Sequence, residues 1–233
     1  MKIVINNKSG SVGKTTLTAN LISPRVPNAK IYAVDPSNKN VTSLGLKATV
    51  IDPLQFREMF EDIFQIDDAI LDVGGSKIWD EFYSKLTESG ASHVEFDYFL
   101  VPSYPTEKSE KDAAEALIKL LAANIPASKI RVIYNCVDKI SRFGLLSGIV
   151  KSENIKVATV HKSDIYEILA NLGTTIEAVK NDPKSANDYK KLLLSTEKDT
   201  EEYKNHFNNY YAKGMVDGAS ADLDRAWAEL ELV

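Results

Sequence analysis

Lys14 and Thr15, directly after Gly13 and near the end of the segment NNKSGSVGKTT at 6–16, are residue types at a spacing suited to a polyphosphate. Successive backbone N–H groups of a glycine-bearing loop can wrap phosphate oxygens, and a helix that starts there adds a favourable dipole. In that arrangement Lys14 reaches the β- and γ-phosphates and Thr15 puts its hydroxyl on Mg2+. Gly10 and Gly13 let the backbone approach such a ligand closely. Ser9, Ser11, Val12 and Thr16 complete the loop. The strict spacing G-x-x-x-x-G-K-[ST] is not met, because Lys8 stands at its first glycine.

Two aspartates offer the other half of a Mg2+ site. Asp35 follows the apolar run IYAV, and Asp72 follows AIL and precedes Val73-Gly74-Gly75-Ser76. Mg2+ is usually held by one or two carboxylates together with phosphate oxygens. An Asp at a strand end also serves as a turn or helix cap. The Gly74-Gly75 pair can bring backbone N–H groups near a γ-phosphate and move with its presence. Asn135 ends the run IRVIY, and Asn135-Cys136-Val137-Asp138 partly matches the Asn and Asp that read guanine, with Cys136 in place of the usual lysine. GTP therefore stands as an alternative to ATP.

These side chains need strands that end side by side. Apolar runs at 3–5, 31–34, 69–71, 98–101, 130–134 and 157–160 alternate with helical patterns at about 15–22, 54–64, 77–89, 107–123, 143–152 and 164–171. The alternation predicts an α/β fold, a mainly parallel β-sheet flanked by helices. Ligands in such sheets bind beyond the carboxyl ends of the strands, which groups Lys14, Asp35, Asp72 and Asn135. Tyr189, Leu192, Leu193, Thr196, Tyr203, Phe207 and Tyr210 then form an apolar stripe at helical spacing over 187–211, and Leu223, Ala226, Trp227 and Leu230 repeat it. This predicts appended C-terminal helices over about 187–233 that pack on the sheet or dock a partner. No composition shift marks a boundary, so 1–233 is expected to be a single nucleotide-binding domain.

Composition narrows the partners. A 44% hydrophobic, 26% charged chain of 233 residues is ordinary for a soluble globular protein. A net charge of −5 gives no global attraction to nucleic acid or anionic lipid. A single cysteine, Cys136, excludes an internal disulfide framework and fits a reducing compartment. His93, His161 and His206 are scattered and give no metal-ligand spacing. No apolar run approaches the ~18 residues of a membrane span, and the three apolar residues after Met1-Lys2 do not read as a signal peptide. A cytoplasmic protein with no membrane partner is expected.

The loop NNKSGSVGKTT, VDPSNKN at 34–40, DDAILDVGG at 67–75 and VHKSDIYEILANLGTTI at 160–176 together resemble the ParA/MinD ATPases. These are P-loop proteins with a deviant Walker A motif that position plasmids, chromosomes or division proteins. The resemblance covers about residues 1–180, and the loop with DVGG leans towards plasmid-stability members of StbB type. It implies a P-loop NTPase fold and ATP with Mg2+ held between the subunits of a nucleotide-dependent homodimer. Lys14, Asp35 and Asp72 would act at the phosphates, with Asp35 in the first switch and Asp72 as the Walker B-type acid. Asn135 would contact adenine, and 160–166 would lie near base and ribose. The family's signature lysine stands four residues before the glycine of G-K, which is Ser9 here. Lys8 stands five before, and Ser11 replaces the second glycine of the family's pair. A positioned cation in the transition state carries much of the rate in phosphoryl transfer. Lys8 therefore stands as a candidate catalytic residue with two open placements: bridging in trans to the partner subunit's phosphates if the loop bulges, or pointing to solvent. A lysine out of register by one predicts a weak ATPase that keeps its binding through Lys14.

For DNA, the basic residues Lys184, Lys190, Lys191, Lys198, Lys204 and Lys213 alternate with Asp188, Glu197, Asp199, Glu201 and Glu202. That pattern predicts a solvated, salt-bridged helix. Direct non-specific DNA binding is not favoured over recruitment by a DNA-binding partner protein. Two functions compete: a ParA-like ATPase in plasmid or DNA positioning, and a non-hydrolysing adaptor that docks a partner through its C-terminal helices. A small-molecule kinase is disfavoured, because the five arginines are scattered and form no lid.

Overall fold

The computed structural model describes residues 1–34, 41–88 and 92–232. Its sheet is built from β1 (Lys2–Ile5), β2 (Lys30–Val34), β3 (Thr49–Val50), β4 (Ala69–Val73), β5 (Tyr98–Ser103), β6 (Ile130–Val137) and β7 (Lys156–His161). The order is β3-β2-β4-β1-β5-β6-β7, and every pairing is parallel. β1 lies near the middle, with Ile5 in register with Asp72 on one side and Leu100 on the other.

Side chains alternate across a strand, so each face of β1 feeds a different core. Val4 joins Phe56 and Met59 of α2 (Phe56–Phe64), Trp79 and Phe82 of α3 (Ser76–Glu88), Leu117 of α4 (Glu107–Ala122) and Leu146 of α5 (Gly144–Ser152). Ile3 and Ile5 face the other way. They meet Leu17 of α1 (Lys14–Leu17), Leu169 of α6 (Ile165–Leu172), Val179 of α7 (Ile176–Asn181) and Leu223 of the C-terminal helix. Both faces are covered, which is why the strands read as continuous apolar runs.

All six strands expected from the apolar runs are present. The short edge strand β3 and helix α7 have no counterpart among the expectations: β3 is two exposed residues, and α7 is one capped turn and a half. The helix expected over 15–22 begins as α1, widens into a π-helical stretch over Thr18–Ile22 and tightens into a 3-10 turn over Ser23–Arg25. Pro24 sits in the first turn of that last piece, where its missing N–H costs little.

The C-terminal helices break at a different place from the one the stripe suggests. α8 spans Ala186–Ser195, and α9 runs unbroken over Glu201–Leu230. The interruption at 196–200 places Asp199 at φ 67° and lets the Thr200 hydroxyl accept from the Tyr203 amide as a new N-cap. α9 also covers the open edge of β7. Glu229 and Asp222 accept from the Thr159 and His161 amides at 2.9 and 2.8 Å, and Arg225 donates to the Thr159 carbonyl at 2.7 Å. Side chains thus satisfy backbone groups that an exposed edge would offer to another chain. Among the described residues, no helix is long and apolar enough to cross a membrane.

Candidate phosphate-binding site

The loop between β1 and α1 is shaped by its own polar side chains. Asn7 is fully buried; its amide donates to the Pro102 carbonyl on β5 at 2.6 Å, and its oxygen accepts from the Ser9 amide at 2.8 Å. That is an Asx turn anchored to the neighbouring strand. Gly13 lies in the left-handed region, φ 81° and ψ 20°, where a side chain is strained. Gly10 and Ser11 are exposed.

Lys14 is 5% exposed and turns back into the loop, donating to the Ser9 carbonyl at 2.7 Å and the Asn7 carbonyl at 3.1 Å. A buried ammonium needs such partners. Thr15 donates its hydroxyl to Asp72 Oδ2 at 2.7 Å. Asp72 is likewise 5% exposed, and the register of β4 beside β1 sets its carboxylate next to the start of α1. A hydroxyl and a carboxylate at one point are hard oxygen donors of the kind Mg2+ takes, so the residues present fit that ion.

Gly75 meets the loop from the other side. A Cβ there would stand 2.9 Å from the Lys8 carbonyl and 3.0 Å from Gly10 Cα, so only glycine fits. The DVGG segment is thereby packed on the phosphate-loop backbone. Asn135, 7% exposed near the end of β6, donates to the Val12 carbonyl at 3.0 Å and accepts from the Cys136 amide at 2.9 Å. Cys136 is at φ 60°, where the pairing of β6 with β7 shifts register. The bulge re-aims this strand end towards the loop.

Lys8 points elsewhere. Its ammonium lies 3.0 Å from both carboxylate oxygens of Glu115 on α4, and Glu115 also pairs with Lys119 at 3.3 Å. The hydrogen bond from Lys8, with that from Lys119, outweighs burial and holds the Glu115 carboxyl below its usual range. Asp35 lies outside the described residues. Thr16 contributes a carbonyl to the Asn20 amide at 3.0 Å. The ends of β6 and β7 line an open cavity of about 560 Å3 with Asp138, His161, Lys162 and Asp164. There the Asp138 carboxylate is spent on its own turn, accepting from Ser141 Oγ at 2.8 Å and the Ile140 amide at 3.0 Å.

The structure thus brings Ser9, Lys14, Thr15, Asp72 and Asn135 to one place and sends Lys8 to α4. Asn7, Gly75's packing role and Glu115 were not legible as site features, since each depends on a partner remote in sequence.

No family model matches the chain, and no curated protein sequence does. Solved structures do match. The MinD cell division protein of Aquifex aeolicus is 18% identical with a TM-score of 0.56, covering 90% of this chain and 94% of its own. The septum site-determining protein MinD of Pyrococcus horikoshii, complexed with Mg-ADP, is 16% identical with a TM-score of 0.51, covering 93% and 95%. A Cyanothece McdA–ATP complex is 14% identical with a TM-score of 0.50, covering 91% and 96%. The likeness extends over nearly the whole of each chain and establishes a shared fold: a parallel sheet flanked by helices, in the P-loop NTPase arrangement.

Proposed function

We propose that this chain is a ParA/MinD-like ATPase that binds ATP with Mg2+, dimerises around the nucleotide and hydrolyses it slowly, in plasmid or DNA positioning. The observation that carries the reading is the 2.7 Å contact of Thr15 with Asp72, beside a loop that encloses the Lys14 ammonium. In this reading Lys14 exchanges its loop carbonyls for phosphate oxygens, and the backbone of Ser9–Thr16 surrounds them. Thr15 and Asp72 hold Mg2+, with Asp35 as a second acid; the bound ion would neutralise β- and γ-phosphate charge. The whole chain acts as one cytoplasmic domain, and a DNA-binding partner protein links it to its cargo. The Mg-ADP in the Pyrococcus MinD and the ATP in the Cyanothece complex support the choice of ligand. Slow turnover follows from Lys8, which is engaged by Glu115 within its own chain.

The test is molar mass in solution with Mg2+ alone, with ADP and with ATP, with phosphate release assayed on the same samples. ATP-dependent doubling of mass with slow release is expected. A constant mass without release removes the ATPase reading. It would favour the second one, an adaptor docking through α8 and α9, where Leu194 is 82% exposed and Phe207 and Tyr211 are nearly half exposed.

A further inference from the structure

We propose that the outward face of α9 is a self-association surface that pairs, antiparallel, with the same face of a second copy of this chain. α9 carries apolar or small residues on two sides. Ala212, Val216, Ala219 and Leu223 are buried and pack it on the rest of the domain. On the opposite side Tyr203, Phe207, Tyr210, Tyr211, Gly214 and Gly218 recur at helical spacing. The rings form one continuous stripe, with centroids 6.4 Å apart for Tyr203 and Phe207, 4.6 Å for Phe207 and Tyr211, and 5.6 Å for Tyr210 and Tyr211. Phe207 and Tyr211 are 43% and 46% exposed, and none of the six residues is charged.

The two glycines serve nothing within their own chain. Both are exposed in the middle of the helix with ordinary helical backbone, and a Cβ on either would meet nothing within 4 Å. Glycine in a helix interior is destabilising relative to alanine, so the fold by itself favours alanine at both positions. What glycine supplies is bare backbone that another helix can approach closely. The order along the face selects the occupant, because aromatic residues fill its first half and glycines its second. Turned antiparallel about a two-fold axis beside Ala212 and Lys213, Phe207 of each copy meets Gly218 of the other, and Tyr211 meets Gly214. Such a face is complementary to itself, whereas an anionic lipid or a nucleic acid calls for cations that the stripe lacks. The four rings leave roughly 300 Å2 open per copy, so a pair buries about 800–1,000 Å2 once the glycine backbone is counted, the size of a weak, reversible dimer.

This association needs no nucleotide, so it is tested without one. Sedimentation equilibrium of the full chain from about 1 to about 500 μM should show the mass rising from one copy to two with concentration. Gly214→Ala/Gly218→Ala adds two methyl groups that meet nothing in their own chain. At about 1 μM, where the chain is single, its melting temperature should rise, while self-association weakens by about tenfold or more. Phe207→Ala should weaken association to a similar degree. Association lost from a more stable protein does not come from misfolding. A single-copy mass at every concentration overturns the proposal, and so does undiminished association in either variant. A single-copy mass with Phe207-dependent flotation on phosphatidylcholine vesicles also overturns it and assigns the face to a lipid surface. Doubling that requires ATP and survives both variants belongs to the phosphate-loop reading, so failure of one reading leaves the other standing.

Discussion

Replacing Gly13 with alanine tests the loop geometry directly, because two separate costs are visible. The first is backbone: a non-glycine residue in the left-handed region loses roughly 1–2 kcal/mol, and Gly13 sits at φ 81°. The second is contact: the new Cβ would stand 2.4 Å from Asn135 Nδ2, a distance that forces one group to move. If the amide gives way, its bond to the Val12 carbonyl is lost, at about 1–2 kcal/mol. Together these give about 2–4 kcal/mol, which for a chain of this size lowers the melting temperature by roughly 4–16 °C. Thermal and urea unfolding of Gly13→Ala should show it. Gly10→Ala is the control, since a Cβ there meets nothing within 4 Å, and it should stay within about 0.5 kcal/mol. The contact cost depends on Asn135, so Gly13→Ala should cost about 1–2 kcal/mol less in an Asn135→Ala background. Strict additivity, or a melting point for Gly13→Ala within a degree of wild type, would refute the geometry.

Three further substitutions probe the surrounding chemistry. Asp72→Asn keeps a partner for Thr15 but removes the charge, so Mg2+ should strengthen nucleotide binding less than in wild type; an undiminished Mg2+ dependence in titrations would exclude Asp72 as a metal ligand. Lys8→Ala removes a half-exposed pair with Glu115 and should change stability by only about 0–1 kcal/mol in urea unfolding, so a fall in phosphate release would report on chemistry. If both turnover and ATP-dependent mass stay unchanged in that variant, Lys8 has no role in trans. For Asp222, burial alone would raise the carboxyl pKa, but hydrogen bonds from His161 and Arg225 outweigh it and hold the group below 3.8. Its contribution is therefore complete above pH 3.8 and is lost as pH falls below that value, through the lowered folded pKa. Asp222→Asn should lower stability at pH 7 and flatten that acid limb; an unchanged slope below about pH 4 would remove the capped sheet edge as its source.

The parts of this structure that were legible in the sequence are periodic or local. Six apolar runs marked six strands, because burial on both faces leaves no polar alternation to blur them. Gly13-Lys14-Thr15 marked the loop because strand, glycine and helix start are contiguous. β3 escaped because two exposed residues carry no pattern, and α7 because six residues are too few to show one. The stripe over 187–211 was real, but its helical period passes through 196–200 without a signal, and the break is set by caps.

Lys8 and Asn135 show why motif register alone falls short at the site. Counting residues placed Lys8 one step from a signature position, yet its direction is decided by Glu115, which stands 107 residues away on α4. Asn135 lies near the end of β6, and its amide meets a carbonyl 123 residues earlier, a contact no local motif announces. In both cases the determinant lies on the same side of β1: the helix that follows its neighbour β5 in one case, and β6, one strand further out, in the other. Loop sequence sets which conformations are open, glycine above all; the neighbours select among them. In the proposed reading, a loop held in this way is prepared for phosphate before phosphate arrives, even with the Lys8 cation engaged elsewhere. Binding and turnover are separable in that same reading: Gly13→Ala, which disturbs the loop, should weaken polyphosphate binding, whereas Lys8→Ala should leave that binding in place and, with Lys8 already held by Glu115, change a slow phosphate release little.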